Sequence, residues 1–297
     1  MKVADASPRA APLSNGNGHA PSENGHVELS VNGHAGLQTN GNGRAAPRVS
    51  VVIPALNEAL NLPLVFANLP PDVFEVILVD GRSTDGTIEV ARSLLPDVRV
   101  VSESRPGKGI ALISGFEASR GDIIVALDAD GSTDAAEISR FVAALEEGAD
   151  FAKGSRFLDG GGSADLTPLR RLGNWLLRSS ANALHGTRYT DLCYGYNAFW
   201  RRCLPQLDLD CDGFEVETVM NIRAARAKLR VTEVPSFESK RVHGESHLNA
   251  VRDGVRILRT ILAERRRAQG SSPDGPEAEA PIGSDTYAST LGQRLHR

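Results

Sequence analysis

The stretch Ile123-Ile124-Val125-Ala126-Leu127-Asp128-Ala129-Asp130 ends a short apolar run with two carboxylates. The run lies between glycines, and its length and β-branched content predict a buried strand. Alternate residues of an extended chain point to the same side, so Asp128 and Asp130 can converge on one point. Two converging carboxylates need a cation or a partner, or the pKa of one of them must rise. All-oxygen ligands suit a hard divalent ion, Mg2+ or Mn2+, whereas an isolated Asp-x-Asp would more often cap the following helix.

Strand and helix patterns alternate on both sides of this stretch. Short apolar runs are separated by segments that carry helix start signals. The runs are apolar throughout, as expected of strands that are covered on both faces. The pattern predicts an α/β fold, a single Rossmann-like nucleotide-binding domain with a mostly parallel sheet and helices on both faces. The predicted strands are 49–53, 75–79, 98–101, 123–127, 150–153 and 231–237, and the predicted helices are 57–68, 84–94, 108–119 and 134–146.

Charged residues or glycines follow four consecutive predicted strands. In sheets of this kind, ligands bind at the carboxyl ends of the strands. Carboxylates there suit a metal ion, ribose hydroxyls and base edges, and cations suit anionic groups. The expected ligand is therefore partly anionic, metal-bound and rich in hydroxyls, and a nucleotide diphosphate-sugar meets all three requirements. The charged residues concerned are Glu58, Asp80, Arg105, Lys108, Asp128 and Asp130.

The composition excludes several classes of function. The chain has 297 residues and a formal net charge of −4, which gives no general case for binding nucleic acid or an anionic membrane surface. Three cysteines without a Cys-x-x-Cys spacing argue against a disulfide framework and a zinc site. No signal peptide and no run of about 20 apolar residues is visible. We therefore expect a cytoplasmic protein, soluble or peripheral at the inner face of a membrane.

Two low-complexity segments flank the predicted domain. Residues 1–47 are rich in Asn, Gly, Ser and Pro, and residues 268–297 resemble them, so both are predicted to be disordered tails. The irregular spacing of His19, His26 and His34 is a weak signal for a metal. The catalytic domain is expected at 48–267, with a donor half at about 48–155 and an acceptor half at about 156–267.

An ordered set of motifs identifies a family. The motifs are Val52–Glu58, Val79–Thr87, Gly107–Ala111, Asp128–Gly131, Gly154–Arg156 and Asp191–Tyr196. Together they resemble the family-2 glycosyltransferases, which have the glycosyltransferase-A fold. Within that family the chain is most similar to the polyprenyl-phosphate (dolichyl-phosphate) mannosyl- and glucosyltransferase branch, over about residues 48–250.

The resemblance implies a role for each matching residue. Asp128 and Asp130 would hold Mg2+ or Mn2+ against the donor diphosphate, so turnover would depend on Asp130. Arg156 would lie where the sugar meets the acceptor, and Arg241 would belong to a cationic loop over the phosphates. The residues expected to line the nucleotide pocket, with Asp80 near the base or ribose, are Pro54, Asn57, Glu58 and Asp80.

The chain departs from the family pattern at three positions. Gly81 replaces a second acid, so the base of the donor, UDP- or GDP-linked, stays open. Ser132 stands where the mannosyl branch commonly has Gln, and His247 replaces a lysine of the late cationic segment.

The second half of the chain carries an amphipathic helical pattern at 165–185 with several arginines. This pattern is typical either of a core-facing helix with solvated arginines or of a surface helix that receives an anionic lipid phosphate. The resemblance favours the second interpretation, with Arg171, Trp175 and Arg178 binding the acceptor. A last helix, at about 248–267, has Val251, Val255, Leu258 and Leu262 on one face, and it could pack on the domain, form a homodimer or contact a membrane.

These observations predict an inverting hexosyltransferase, with polyprenyl phosphate as the favoured acceptor. The oxygen of a lipid phosphate is already anionic, so its transfer needs no general base. An alcohol acceptor, the hydroxyl of a small secondary metabolite or glycan precursor used by a soluble enzyme, would need a carboxylate to take its proton. The candidates for that base are Asp191, Glu215 and Glu217. A nucleotidyltransferase and a non-catalytic nucleotide-sugar binding module are weaker alternatives.

Overall fold

The computed structural model describes residues 45–244 and 249–270. Residues 1–44 and 271–297 of the predicted tails, and His247, lie outside the described residues. The described strands are β1 (Val49–Ala55), β2 (Glu75–Asp80), β3 (Arg99–Ser102), β4 (Ile123–Ala126), β5 (Phe151–Ser155), β6 (Gly162–Ser163), β7 (Asn197–Trp200), β8 (Val231–Pro235) and β9 (Phe237–Glu238). The described α-helices are α1 (Leu62–Ala67), α2 (Thr87–Leu94), α3 (Lys108–Ala118), α4 (Ile138–Glu146), α5 (Pro168–His185), α6 (Leu204–Leu207), α7 (Val216–Arg226) and α8 (Ala250–Gly270).

Seven strands form the main sheet, in the order β3-β2-β1-β4-β7-β5-β8. β1 pairs in parallel with both β2 and β4, so the carboxyl ends of these three strands lie side by side. β7 runs antiparallel between β4 and β5. The mostly parallel α/β sheet predicted from the sequence is therefore confirmed, and β7 is the member that the sequence analysis did not predict.

Apolar side chains of the strands alternate between two cores, one on each face of the sheet. Val51 and Ile53 of β1 join a core that is covered by α1, α2 and α4. Val52 of the same strand joins the opposite core, which α3 and α7 cover. Burial on both faces explains why the strands are continuously apolar, and it confirms helices on both faces. A third, smaller core joins α5, α7 and α8 through residues such as Ile222 and Ile261.

Several helices begin later than the sequence predicted. The chain after β1 does not enter a helix at Asn57, because Asn57 has a left-handed φ of 58° and a turn closes between Glu58 and Asn61 before α1 begins. α2 begins at Thr87, after Gly86 with a φ of 84°. The predicted helix at 134–146 begins as a 3₁₀ turn at Ala135–Glu137.

α8 has apolar side chains on two faces, one buried and one exposed; the exposed set is called the α8 stripe here. Ile257 and Ile261 face the third core and are 5% and 0% exposed. The residues that the sequence analysis placed together on one face are instead exposed: Val251, Val255, Leu258 and Leu262. Among the described residues, no helix combines the length and apolarity that crossing a bilayer requires.

Candidate active site

A cavity of about 1160 Å3 opens at the carboxyl ends of β1, β2 and β4, where the sheet topology brings the predicted ligand-binding loops together. One part, here called the donor end, is lined by Glu58, Lys108, Asp128, Asp130 and Arg241. The cavity continues to a groove between α5 and α8. The predicted donor residues that line it are Pro54, Glu58, Arg105, Lys108, Asp128, Asp130 and Arg241.

Asn57 and Asp80, also predicted to bind the donor, do not line the cavity and instead shape its loops. Asn57 Oδ1 accepts a hydrogen bond from the backbone N–H of Thr84 at 2.8 Å, which ties the β1 loop to the β2 loop. Asp80 Oδ2 accepts hydrogen bonds from the backbone N–H groups of Arg82 and Ser83 at 3.0 and 3.1 Å. Asp80 Oδ1 is buried and accepts no hydrogen bond from the part of the chain that the structure describes.

Lys108 joins the donor end to α7. Its Nζ lies 2.7 Å from Asp128 Oδ1 and 2.8 Å from Glu217 Oε1. Burial alone would lower the pKa of Lys108, but the two carboxylates outweigh burial and raise the pKa above its ordinary value. Close backbone contact places this lysine, because the N–H of Gly109 donates to the carbonyl oxygen of Asp212 at 2.8 Å. A Cβ added to Gly109 would lie 2.4 Å from the carbonyl oxygen of Cys211, so the two loops approach closely only with glycine there.

Arg241 spans the loops after β1 and β4. Its Nη1 donates to Glu58 Oε1 at 2.9 Å and its Nη2 donates to Asp130 Oδ2 at 3.0 Å. Asp130 Oδ1 accepts from the backbone N–H of Ser132 at 2.9 Å, which orients the carboxylate. Asp128 and Asp130 thus each contact a different cation, and their convergence on one ion stays a prediction.

The donor set suits a divalent ion that arrives with a diphosphate. In residues 45–244 and 249–270, no three His, Cys, Asp or Glu side chains gather in a way that could hold a metal. Mg2+ in nucleotide sites is typically held by one or two carboxylates together with substrate phosphates. Asp128 and Asp130 can provide the carboxylates. In the six-residue cluster of Glu58, Asp128, Asp130, Glu217, Lys108 and Arg241, four carboxylates face two cations. Two negative charges are left over, the charge that one divalent ion balances.

Arg156 lines the cavity, but carboxylates hold all sides of its guanidinium. Nε and Nη2 donate to the two oxygens of Asp191 at 2.7 and 3.0 Å, and Nη1 donates to Glu238 Oε2 at 3.0 Å. Asp191 is fully buried; burial would raise the pKa of its carboxyl, yet the charge of Arg156 keeps that pKa below its usual range. Asp191 does not line the cavity, so this geometry suits positioning of Arg156 rather than proton transfer from an acceptor.

The other predicted acids differ in their access to the cavity. Glu217 lines it, whereas Glu215 does not and forms an ion pair with Arg256 of α8 at 2.8 Å. The sequence analysis missed Glu238, a further carboxylate in the lining. Its side chain is 18% exposed and accepts hydrogen bonds from Arg156 and Ser163. A polar residue ending a strand in the acceptor half is the signal that could have identified it.

The predicted acceptor residues of α5 lie outside the cavity lining. Arg171 lies over the ring of Phe157, and Arg178 donates to the carbonyl oxygen of Thr190 at 3.4 Å. Trp175 is 52% exposed. A neighbouring face of α5 lines the groove, at residues with the 3–4 spacing of one helical face: Leu169, Arg170, Gly173, Leu176, Leu177 and Ser180.

The profile of the family described as Glycosyl transferase family 2 matches residues 50–205. The chain belongs to glycosyltransferase family 2. The matched region of this family-2 enzyme contains β1 to β5, β7 and α5, together with Lys108, Asp128, Asp130 and Arg156. Glu217, Glu238 and Arg241 lie beyond it, in the part of the chain that completes the cavity.

Two curated relatives of this family-2 enzyme act on lipid-linked substrates by name. It is 36% identical to the polyprenol monophosphomannose synthase of Mycolicibacterium smegmatis over 224 residues, which are 69% of this chain and 83% of the relative. It is 34% identical to the undecaprenyl-phosphate mannosyltransferase of Micrococcus luteus over 233 residues, 73% of this chain and 96% of the relative.

A solved structure places the fold among glycosyltransferase-A enzymes. Glucosyl-3-phosphoglycerate synthase of Mycobacterium tuberculosis, in complex with Mn2+, UDP and glucosyl-3-phosphoglycerate, matches with a TM-score of 0.58 and 26% identity. The match covers 74% of this chain and 80% of that one. The same synthase was also solved with Mg2+ and UDP. The family-2 enzyme described here is therefore a glycosyltransferase of the glycosyltransferase-A fold.

Proposed function

We propose that this family-2 glycosyltransferase transfers a hexose, with inversion, from a nucleotide diphosphate-sugar to polyprenyl phosphate. The observation that carries the proposal is the continuity of the cavity. The charged donor end leads directly into the groove between α5 and α8, so one cavity offers a site for a diphosphate and a site for an apolar chain.

The walls of the groove carry exposed apolar side chains. Leu169 and Leu176 of α5 are 61% and 52% exposed, and Val255 and Leu258 of α8 are 45% and 40% exposed. Apolar side chains gathered in one exposed groove mark a binding surface, because folded soluble proteins rarely leave a large contiguous apolar patch in contact with water. An isoprenoid chain would bury them. Lys240 also lines the cavity and would provide positive charge for the lipid phosphate, as would Arg170 if the phosphate replaced its partner Asp165, which lies 2.8 Å away.

At the donor end, Asp128 and Asp130 would hold Mg2+ or Mn2+. A divalent ion supplies Lewis-acid stabilisation of the leaving nucleotide diphosphate. Lys108 and Arg241 would receive the charge of the diphosphate beside it, and Arg105 lies at the rim. Arg105 forms an ion pair with Glu103 at 2.8 Å, and its hydrogen bonds lower the pKa of Glu103 to about 2. The Mn2+, Mg2+ and UDP in the structures of the mycobacterial synthase support this arrangement.

In the proposed reaction, an oxygen of the lipid phosphate attacks the anomeric carbon while the bond from that carbon to the diphosphate breaks. The phosphate oxygen carries no proton, so no general base is needed. A reaction without a general base agrees with the ion pairs of the three candidate acids. Asp191 is paired with Arg156, Glu215 with Arg256 and Glu217 with Lys108.

Acceptor lipids reach the enzyme at a membrane, and we infer peripheral contact at its inner face. Val251, Val255 and Leu258 of the exposed α8 stripe also line the groove. The stripe lies beside exposed arginines such as Arg252 and Arg259, the pattern of helices that lie in a membrane interface. A homodimer through the same stripe, which would cover this wall of the groove, is the alternative. Flotation with vesicles that contain anionic lipid would support the membrane surface, whereas a stable dimer that does not float would support the alternative.

The decisive experiment measures turnover of UDP- and GDP-sugars with Mn2+, with and without polyprenyl phosphate. We expect turnover to require the lipid. Leu176→Glu should raise the KM for the lipid at least tenfold, because it places a charge in the apolar groove. Leu60→Glu is the control, since Leu60 is 69% exposed and does not line the cavity. Donor binding without lipid-dependent turnover would contradict the proposal.

The second candidate is transfer to an alcohol, which the accessibility of Glu217 favours. Glu217 lines the cavity and could take the proton of a hydroxyl if Lys108 released it. Glu217→Gln distinguishes the two candidates, because it should abolish transfer to an alcohol. Transfer to polyprenyl phosphate should keep a large part of its rate in the same variant.

A further inference from the structure

Arg241 holds its two carboxylates through different nitrogen atoms. Nη1 contacts Glu58, which follows β1, and Nη2 contacts Asp130, which follows β4. β1 and β4 are neighbours in the sheet, so one guanidinium spans both loops. The side chain of Arg241 is 21% exposed, and that of Asp130 is 19% exposed. The ion pair is therefore partly shielded from water, where a lost partner costs more than at an open surface.

The Glu58 side of this contact is fixed by a second set of hydrogen bonds. Asn61 Nδ2 donates to Glu58 Oε2 at 2.6 Å and to the carbonyl oxygen of His243 at 3.1 Å. Asn61 Oδ1 accepts from the backbone N–H of His243 at 3.2 Å. Asn61 is 2% exposed, so it anchors the loop two residues from Arg241. The hydrogen bonds of Asn61 hold the loop and Glu58 in place, and with them the contact of Arg241 Nη1; these fixed contacts are called the pivot here. The contact of Nη2 with Asp130 does not depend on the pivot and can break separately.

A divalent cation that binds Asp130 Oδ2 competes with Arg241 Nη2 for that oxygen. Removing that contact leaves a guanidinium N–H group without an acceptor in a partly shielded site, which is unfavourable. A diphosphate oxygen is a suitable replacement, because guanidinium forms strong charge-assisted hydrogen bonds with phosphate. Metal and nucleotide should therefore bind better together than either does alone.

We propose that Arg241 couples metal binding to nucleotide binding by exchanging Asp130 for the donor diphosphate while Glu58 holds the other half of its guanidinium. The inference rests on the metal–diphosphate site of the proposed function and adds a thermodynamic link within it. Linkage requires the effect to be reciprocal, so UDP tightens Mn2+ binding by the same factor as Mn2+ tightens UDP binding.

Lys108 offers a useful contrast. Its Nζ also contacts a predicted metal ligand, Asp128, but Glu217 remains 2.8 Å away as a second partner. Displacement of Lys108 from Asp128 would therefore leave its ammonium paired with Glu217. Loss of Lys108 should change the coupling between metal and nucleotide less than loss of Arg241 does, although each variant removes a cation that competes with the metal.

The test is a titration of Mn2+ by electron paramagnetic resonance, with and without saturating UDP, in wild type and Arg241→Gln. The variant should bind Mn2+ alone more tightly, because a competing cation is gone, and should bind Mn2+ with UDP more weakly. The factor by which UDP tightens Mn2+ binding should fall about tenfold, within the usual range of coupling between sites. Arg241→Lys should retain part of the coupling, since an ammonium contacts the two carboxylates less well than a planar fork does.

Two variants control for charge and for the pivot. Arg92→Gln removes the same charge from an exposed position in α2 and should leave the coupling factor unchanged. Asn61→Ala keeps every charge but removes the anchor of the loop, and it should lower the coupling factor. Equal effects of Arg241→Gln on Mn2+ with and without UDP would overturn this inference alone. Failure of the wild type to bind Mn2+ under either condition would overturn the metal site of the proposed function as well.

Discussion

Lys108 Nζ lies 2.7 Å from Asp128 Oδ1, and the same ammonium reaches Glu217 on the acceptor side of the cavity. One partly buried cation therefore links a predicted metal ligand after β4 to an acid in α7. A change that moves this ammonium should disturb donor binding even when the fold is intact. Gly195, on the loop before β7, is the residue that makes such a change possible.

Gly195→Ala should displace the cluster of Lys108, Asp128 and Glu217. An added Cβ would lie 2.9 Å from Lys108 Nζ and 3.0 Å from Asp128 Oδ2, closer than carbon normally approaches these atoms. The crowded atoms are the ends of side chains, so they should shift while the backbone stays in place. We expect kcat/KM to fall about 10- to 100-fold, as for other small misplacements in active sites, with a Tm close to that of wild type. Unchanged Mn2+–UDP affinity would contradict the prediction.

Asp130→Ala should abolish metal-dependent turnover and leave the fold intact, because Asp130 contacts only Arg241 and the N–H of Ser132 among the described residues. Asp134→Ala is the matched control. Asp134 is exposed and caps the following 3₁₀ turn by accepting from the N–H of Ala136, so its loss should cost about 1 kcal/mol of stability without affecting metal dependence. Turnover assays across a Mn2+ series would decide, and full activity of Asp130→Ala would rule out the metal assignment.

The donor end could be predicted from the sequence because its residues lie directly next to strands and helices that short segments of sequence reveal. Asp128 follows a strand that is recognisable from its own residues, and Lys108 begins a helix two residues after Pro106. The acceptor side depends on contacts between distant segments. β7 has four residues and owes its burial to β4 and β5, which its own residues do not reveal. The helical pattern of α5 predicted the helix but not which of its faces, that of Trp175 or that of Leu176, meets the groove.

Gly173→Leu tests the groove without removing any polar group. Gly173 lies in α5 and lines the groove, and an added Cβ would meet nothing within 4 Å. Leucine is also a better helix former than glycine by roughly 0.8 kcal/mol, so the variant should be at least as stable as wild type. We expect a leucine side chain to occupy space that the acceptor needs. Transfer to polyprenyl phosphate should fall about tenfold or more, on the scale of overpacking penalties, while Mn2+–UDP binding stays at the wild-type level.

Gly254→Leu gives an independent version of the same test from the opposite wall. Gly254 lies in α8, lines the same groove and also has no atom within 4 Å of an added Cβ. The two variants should therefore impair the same step and leave donor binding alone. Wild-type kinetics with polyprenyl phosphate in both variants would place the acceptor elsewhere.

Asp191→Asn should destabilise the enzyme in a pH-dependent way. Asp191 is fully buried against Arg156, and removing one partner of a buried pair typically costs about 3 kcal/mol or more. Burial would raise the pKa of Asp191, but the charge and hydrogen bonds of Arg156 outweigh burial and lower that pKa in the folded protein. The ionised form of Asp191 therefore favours folding. That contribution is fully present above the unfolded pKa, near 3.9, and is lost as the pH falls through the lower folded value. The stability difference between wild type and Asp191→Asn should thus be constant from pH 7 to about 5 and shrink in more acidic solution.

Urea unfolding at a series of pH values measures this stability difference, with Asp150→Asn as the control variant. Asp150 forms its ion pairs with the more exposed Arg202 and Arg230, so its loss should cost at most about 1 kcal/mol. An equal cost for the two variants would contradict the importance assigned to the Arg156–Asp191 pair.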